Sequence, residues 1–253
     1  MLAGMMILFA ACGQTDNTSS VELHIFAAAS MTETMDQVIE HYQAEVPGVT
    51  VIPTYDSSGT LLTQIQEGAE CDLFLPAAEK QMDALETEGA LLAGSRLDLL
   101  ENKVVLAVPD GNPKGIKSLG QLAALLQTGE VMLAVGSSDV PAGQYAQKIF
   151  AWYGINEAGI AANLTYGSNV KEVTTQLREA AADCGIIYAT DAYSAALETV
   201  DSASAEMCGQ VVYPAAVLAS TEYPAEAQAF LDYLTGEAAG ETFASAGFIP
   251  LTR

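Results

Sequence analysis

The sequence predicts an α/β protein organised on two open sheets, and three of its features carry that expectation. From Val21 onward, short β-rich runs alternate with amphipathic helical segments. The β-rich runs are apolar almost without interruption, the pattern of strands covered on both faces by helices. The chain's 253 residues, half of them hydrophobic, are enough for one large core or two medium ones. Acidic residues outnumber basic ones by 32 to 9, for a formal net charge of −23, and no basic stretch is present to neutralise phosphates. That argues against nucleic acid as a partner. With only 16% of residues charged, the acidity is that of a folded surface and not of a disordered acidic tail.

The first strand reads LHIFAAA (23–29). The helix after it, 31–42, sets Met31, Met35, Val38, Ile39 and Tyr42 on one face at helical spacing and stops before the Pro47-Gly48 turn. TVIPTY (50–55) and CDLFLPA (71–77) are the next strands, separated by a helix over 60–67 and followed by one over 79–92. The alternation continues with KVVLAVP (103–109), a helix over 118–128, VMLAVG (131–136), and helices over 142–153 and 170–182. CGIIYAT (184–190) leads into a helix over 191–198, and QVVYPAAVLA (210–219) precedes one long helical segment, 224–246. Phe150, Trp152 and Tyr153 fall together on the 142–153 helix, where packing is their expected role.

Residues 1–11 (MLAGMMILFAA) are an apolar run too short for the roughly 20 residues a membrane span needs. They read as the apolar region of a secretory signal, with residues 1–20 forming signal and tether. The string Leu8-Phe9-Ala10-Ala11-Cys12 resembles a bacterial lipobox, which implies lipidation at Cys12 and an extracytoplasmic protein anchored to the cell membrane. A plain secreted or periplasmic protein is the alternative. Three further cysteines, Cys71, Cys184 and Cys208, are widely spaced without a C-x-x-C pair, so no zinc site or disulfide framework is expected. Burial as small hydrophobes suits Cys71 and Cys184, and a Cys184–Cys208 bridge is open to an exported chain.

Catalytic signatures are missing from the sequence: it has no nucleophile elbow, phosphate-binding glycine loop, dinucleotide fingerprint or paired-histidine zinc motif. Only His24 and His41 are available as imidazole bases, and neither is placed to serve a Ser-Ser pair, so a serine hydrolase lacks its base and no enzyme is expected. What recurs instead is a strand running into a helix start furnished with small hydroxyl or amide residues. Ser30-Met31-Thr32-Glu33 has the form of a capping box with Ser30 as N-cap. Asp56-Ser57-Ser58-Gly59-Thr60 opens the next helix, Val140-Pro141-Ala142-Gly143 sets a proline at a first helical turn, and Asn169 stands three residues before Glu172. Helix starts present N–H groups with no internal partner and carry partial positive charge, so four of them at the carboxyl ends of strands could surround one small oxyanion without a cationic side chain.

These segments carry a resemblance. AAAS-x-T (27–32), S-S-G-T-L-x-x-Q-I (57–65), G-A-x-x-D-L-F-x-x-A (68–77), V-P-A-G-x-Y-A (140–146), N-V (169–170) and G-I-I-Y-A-T-D-A (185–192) closely resemble the bacterial molybdate-binding proteins of ABC importers. The resemblance runs in order from Leu23 to the C-terminal GFIP. It implies a type II periplasmic-binding-protein fold, two α/β lobes with a ligand cleft between them: lobe 1 from 21–104 plus 216–253, and lobe 2 from 105–215. It also implies an oxyanion ligand, molybdate or tungstate, held by Ser30, Ser58, Ala142, Val170 and Tyr188, with no direct metal-ion ligands and no cofactor. A monomer that serves an ABC permease and its ATPase would follow. Asp56 departs from the family pattern, placing a carboxylate where a small neutral residue is usual. A carboxylate facing the ligand would favour another oxyanion, such as phosphate, and sulfate is the remaining alternative.

Overall fold

The computed structural model describes residues 20–251, so the signal, tether and Cys12 lie outside the described residues. The amino-terminal half alternates regularly: β1 (Val21–Ala28), α1 (Thr32–Glu45), β2 (Val49–Asp56), α2 (Ser58–Gln66), β3 (Leu73–Leu75) and α3 (Glu79–Thr87). β4 (Leu97–Asn102) is separated by Lys103 alone from β5 (Val104–Val108). There follow α4 (Leu119–Thr128), β6 (Leu133–Gly136), α5 (Pro141–Trp152), β7 (Leu164–Gly167), α6 (Val170–Arg178), β8 (Cys184–Tyr188), α7 (Ala189–Ser194), β9 (Glu198–Ser202) and α8 (Ala205–Cys208). β10 (Val211–Val217), α9 (Pro224–Leu234), α10 (Glu237–Ser245) and β11 (Ile249–Pro250) complete the described chain.

The strands form a six-stranded sheet, in the order β11-β4-β10-β3-β1-β2, and a five-stranded sheet, β7-β6-β8-β5-β9. Within them β1 runs parallel to β2 and β3, and β6 parallel to β7 and β8. The chain passes between sheets at Lys103 and again between Ser202 and Val211, so residues 211–215, which the sequence grouped with lobe 2, pair in the first sheet. A strand that starts in the crossing segment gives no compositional sign of which sheet it will join.

Both faces of the first sheet are covered, which is why its strands read as continuous apolar runs. Leu23, Ile25 and Ala27 belong to a core that includes Met35, Val38 and Tyr42 of α1, while Phe26 and Phe74 face Leu61, Met82 and Leu85 of α2 and α3. The face expected of the first helix is buried throughout. Trp152 departs from expectation: it is 51% exposed, whereas Phe150 is buried, because Trp152 ends α5 on its outer side. The expected long final helix divides at Thr235-Gly236, with Gly236 as N-cap of α10. β4, β7, β9 and β11 went unforeseen. Glu198–Ser202 is an edge strand with no buried residue, so no apolar run marks it. Cys71, Cys184 and Cys208 are free thiols and buried.

Candidate functional site

Strand register brings the helix starts together. β1 and β2 end level, with Ala28 opposite Asp56, and β6 and β7 end level, with Gly136 opposite Gly167. The loops leaving these carboxyl ends meet around a small cavity between the sheets. Its walls include all five residues singled out by motif: Ser30 and Ser58 from the first sheet's loops, and Ala142, Val170 and Tyr188 from the second's. Ala28, Ala29, Asp56, Ser57, Ala77, Val140 and Pro141 complete the wall.

Apart from the Asp56 carboxylate, the polar groups of this wall are placed to donate. Ser58 and Val170 begin α2 and α6, and Ala142 follows Pro141 in the first turn of α5, positions whose amides have no acceptor within their own helix. Ser57 caps α2 by accepting from the Thr60 N–H at 3.1 Å, and Asn169 caps α6 by accepting from Glu172 N–H at 3.1 Å, so the caps leave the first amides free. Ser58 Oγ accepts from the Ala77 N–H at 3.0 Å, which leaves the serine proton to point elsewhere. Tyr188 Oη is buried with no hydrogen-bond partner among the described residues, and burial holds its pKa well above the ordinary tyrosine value, so it remains a donor. Among the described residues, no Lys, Arg or His lines the cavity.

Ser30 does not play the part its local pattern suggested. The backbone makes a short 3-10 turn over Ala29–Met31, α1 starts at Thr32, and no side chain caps it. Ser30 Oγ instead lies 2.9 Å from Tyr213 Oη of β10, and Glu33 pairs with Lys171 of α6 at 2.7 Å. Tertiary partners therefore outcompete the capping box at this helix start.

The comparisons with known proteins fit this geometry. Residues 23–249 match the family model described as bacterial extracellular solute-binding protein. This chain belongs to that family. The solute-binding protein is 33% identical to the molybdate-binding protein ModA of Escherichia coli, over 98% of this chain and 96% of ModA. It is 31% identical to YvgL of Bacillus subtilis, a putative ABC transporter substrate-binding lipoprotein, over 96% of this chain and 93% of YvgL. The periplasmic molybdate-binding protein of Azotobacter vinelandii has the same fold, with a TM-score of 0.80 and 24% identity over 91% of this chain and all of that one.

The rim of this solute-binding protein differs in kind from its cavity. Lys171 reaches both Glu33 carboxylate oxygens, at 2.9 and 2.7 Å, and stands 3.4 Å from Asp191 Oδ1. Asp191 is fully buried and its carboxylate accepts no hydrogen bond among the described residues. Burial raises its pKa to about 6, against the opposing pull of Lys171. Asp56 lines the cavity, yet its Oδ1 is occupied by the Ser57 N–H at 2.7 Å and by Asn169 Nδ2 at 3.3 Å, the second bond joining the two sheets' loops. At Gly59 the opposing loops are in close contact: a Cβ there would lie 2.5 Å from the Asp139 carbonyl oxygen. The pairing of Lys171 with Glu33 and Asp191 has no sequence signal, because those partners lie far from it in the chain.

Proposed function

We propose that this solute-binding protein captures molybdate or tungstate outside the cytoplasm and delivers it to an ABC permease and its ATPase. The carrying observation is that Ser30, Ser58, Ala142, Val170 and Tyr188 line one cavity whose walls offer neutral donors, with Asp56 as the one acidic side chain and no cationic one among the described residues. A shell of donors suits a fully deprotonated dianion, because each of its oxygens can accept a hydrogen bond. Hydrogen phosphate brings a proton that would face donors, and a buried polar group left unpaired costs roughly 1–3 kcal/mol. The relatives named as molybdate-binding proteins support the same ligand.

Ser30 and Ser58 belong to one sheet's loops, and Ala142, Val170 and Tyr188 to the other's, so only apposition of the two lobes satisfies the anion from both sides. Ligand would shift the population toward that closed arrangement. The lobe bearing β5 to β9 is the moving partner of the one bearing the remaining strands. A lipid anchor at Cys12 and a monomeric state complete the reading, the former supported by the lipoprotein name of YvgL.

Calorimetric titration with molybdate, tungstate, sulfate and phosphate tests the assignment. Tight binding of the first two is expected. Preference for phosphate would overturn it and favour the second reading, which rests on Asp56 at the cavity wall and its capacity to accept a proton from hydrogen phosphate.

A further inference from the structure

The direction of the Ser30 hydroxyl proton is set from outside the cavity. Asn102, at the end of β4, is the first link. Its Oδ1 accepts from the Lys103 N–H at 2.8 Å, and because a backbone N–H can only donate, the amide has one allowed orientation. Its Nδ2 therefore faces Thr190 Oγ1 at 2.9 Å and Tyr213 Oη at 3.2 Å, and donates to both. Tyr213 Oη thus receives a proton from Asn102. Of its two hydrogen-bond partners here Asn102 Nδ2 can only donate, so Ser30 Oγ, 2.9 Å away, is the one that can take the Tyr213 proton. Ser30 Oγ, accepting from Tyr213, keeps its proton for the cavity that it lines. Tyr213 is buried, and burial holds its pKa well above the ordinary tyrosine value, so the relay does not lose its proton. Ser58 reaches the same state through one backbone bond from Ala77.

We propose that Asn102 and Tyr213, neither of which lines the cavity, are positioning residues that make Ser30 an obligatory donor and so exclude oxyanions that carry a proton. This rests on the oxyanion-binding reading above and extends it to the source of selectivity. Without Tyr213's hydroxyl, Ser30 would be free to turn and offer a lone pair to the ligand. A hydrogen arsenate or hydrogen phosphate dianion, of the same charge as molybdate, would then find an acceptor.

The test is calorimetric titration of the full chain and of Tyr213→Phe with molybdate and with arsenate, in mildly alkaline buffer where arsenate is a dianion that retains one proton. Phenylalanine preserves the edge-on ring contacts of Tyr213 with Tyr188 and Phe248, at centroid distances of 5.7 and 5.4 Å. Molybdate affinity is expected to fall about three- to tenfold while arsenate affinity holds or rises, narrowing the ratio of the two Kd values by about tenfold. A merely structural role would weaken both anions alike and leave the ratio unchanged, which would overturn the proposal. Ser30→Ala and the double variant close the cycle: loss of the Tyr213 hydroxyl should change nothing further once Ser30 is alanine, and additive losses would also overturn it. Asn102→Leu reaches the same ratio from the other end of the relay and serves should Tyr213→Phe fail to fold. Binding of molybdate by the unsubstituted chain with an unmoved ratio in the variants rejects this inference alone. Failure of the unsubstituted chain to bind molybdate or tungstate rejects the function on which it stands.

Discussion

The cavity wall and the cavity rim join the two sheets by opposite means. The wall is built mainly of serine, alanine, valine and tyrosine, and apart from the Asp56 carboxylate its polarity comes from amides and hydroxyls. The rim is charged: Glu33, Lys171 and Asp191 form one cluster, two of its members on one sheet's helices and the third on the other's. The difference explains how a chain of net charge −23 can host an anion. Exposed charges are screened over about 8 Å at physiological salt, so a closed pocket answers to the dipoles that touch the ligand. Charge at the mouth is left to hold the two halves in place.

That contrast can be broken first at the wall. Ser58→Ala removes a donor to a charged ligand and is expected to weaken molybdate binding by about ten- to a hundredfold, as read by calorimetry. Unchanged affinity would detach Ser58 from the site. Gly59→Ala is expected to cost on the order of tenfold, since the new methyl meets the Asp139 carbonyl of the opposing loop and overpacking costs about 1–3 kcal/mol. The thermal midpoint of the ligand-free variant should stay with wild type, and a matching loss there would mean the contact supports folding and not closure.

The rim should matter less. Lys171→Met is expected to lower affinity about two- to fivefold at low salt, with the gap closing as inert salt is added, because half-exposed ion pairs contribute little and are screened. Wild-type affinity itself should respond weakly to salt; a steep loss would show that cations hold the ligand. The smallest effect on affinity is expected at Asp191→Asn, where the readout is stability against pH. The folded-state pKa of Asp191, about 6, lies above the ordinary 3.8, so the folded protein holds a proton that the unfolded chain releases. The group's contribution to stability is full below 3.8 and is lost as pH rises through about 6. The asparagine variant should therefore match wild type in acid and melt a few degrees higher above neutrality. Parallel melting curves across this range would count against a buried, protonatable Asp191.

Legibility in the sequence followed the range of the interactions. Met31, Met35, Val38, Ile39 and Tyr42 mark one helix face within 12 residues, and all five are buried. Asn169 capping α6 and Pro141 at the first turn of α5 are likewise local, and both were readable. The edge strand β9, polar and exposed, was not, since its place depends on a hydrogen-bonding neighbour and not on its own apolar pattern. Ser30 failed as a cap for a related reason: the local option was available, but Tyr213 offered a buried partner that the turn could not match.

By itself the sequence determined the α/β alternation, the small hydroxyl residues at the helix starts, and the motifs that single out Ser30, Ser58, Ala142, Val170 and Tyr188. These are written in neighbours a few residues apart, within reach of backbone geometry and capping. Tertiary structure alone decided that those starts converge on one cavity, that Lys171 bridges to Glu33, and that Ser30 meets Tyr213. Ser30 and Tyr213 are separated by 183 positions, and a hydrogen bond over that span forms only once packing has buried both groups against each other.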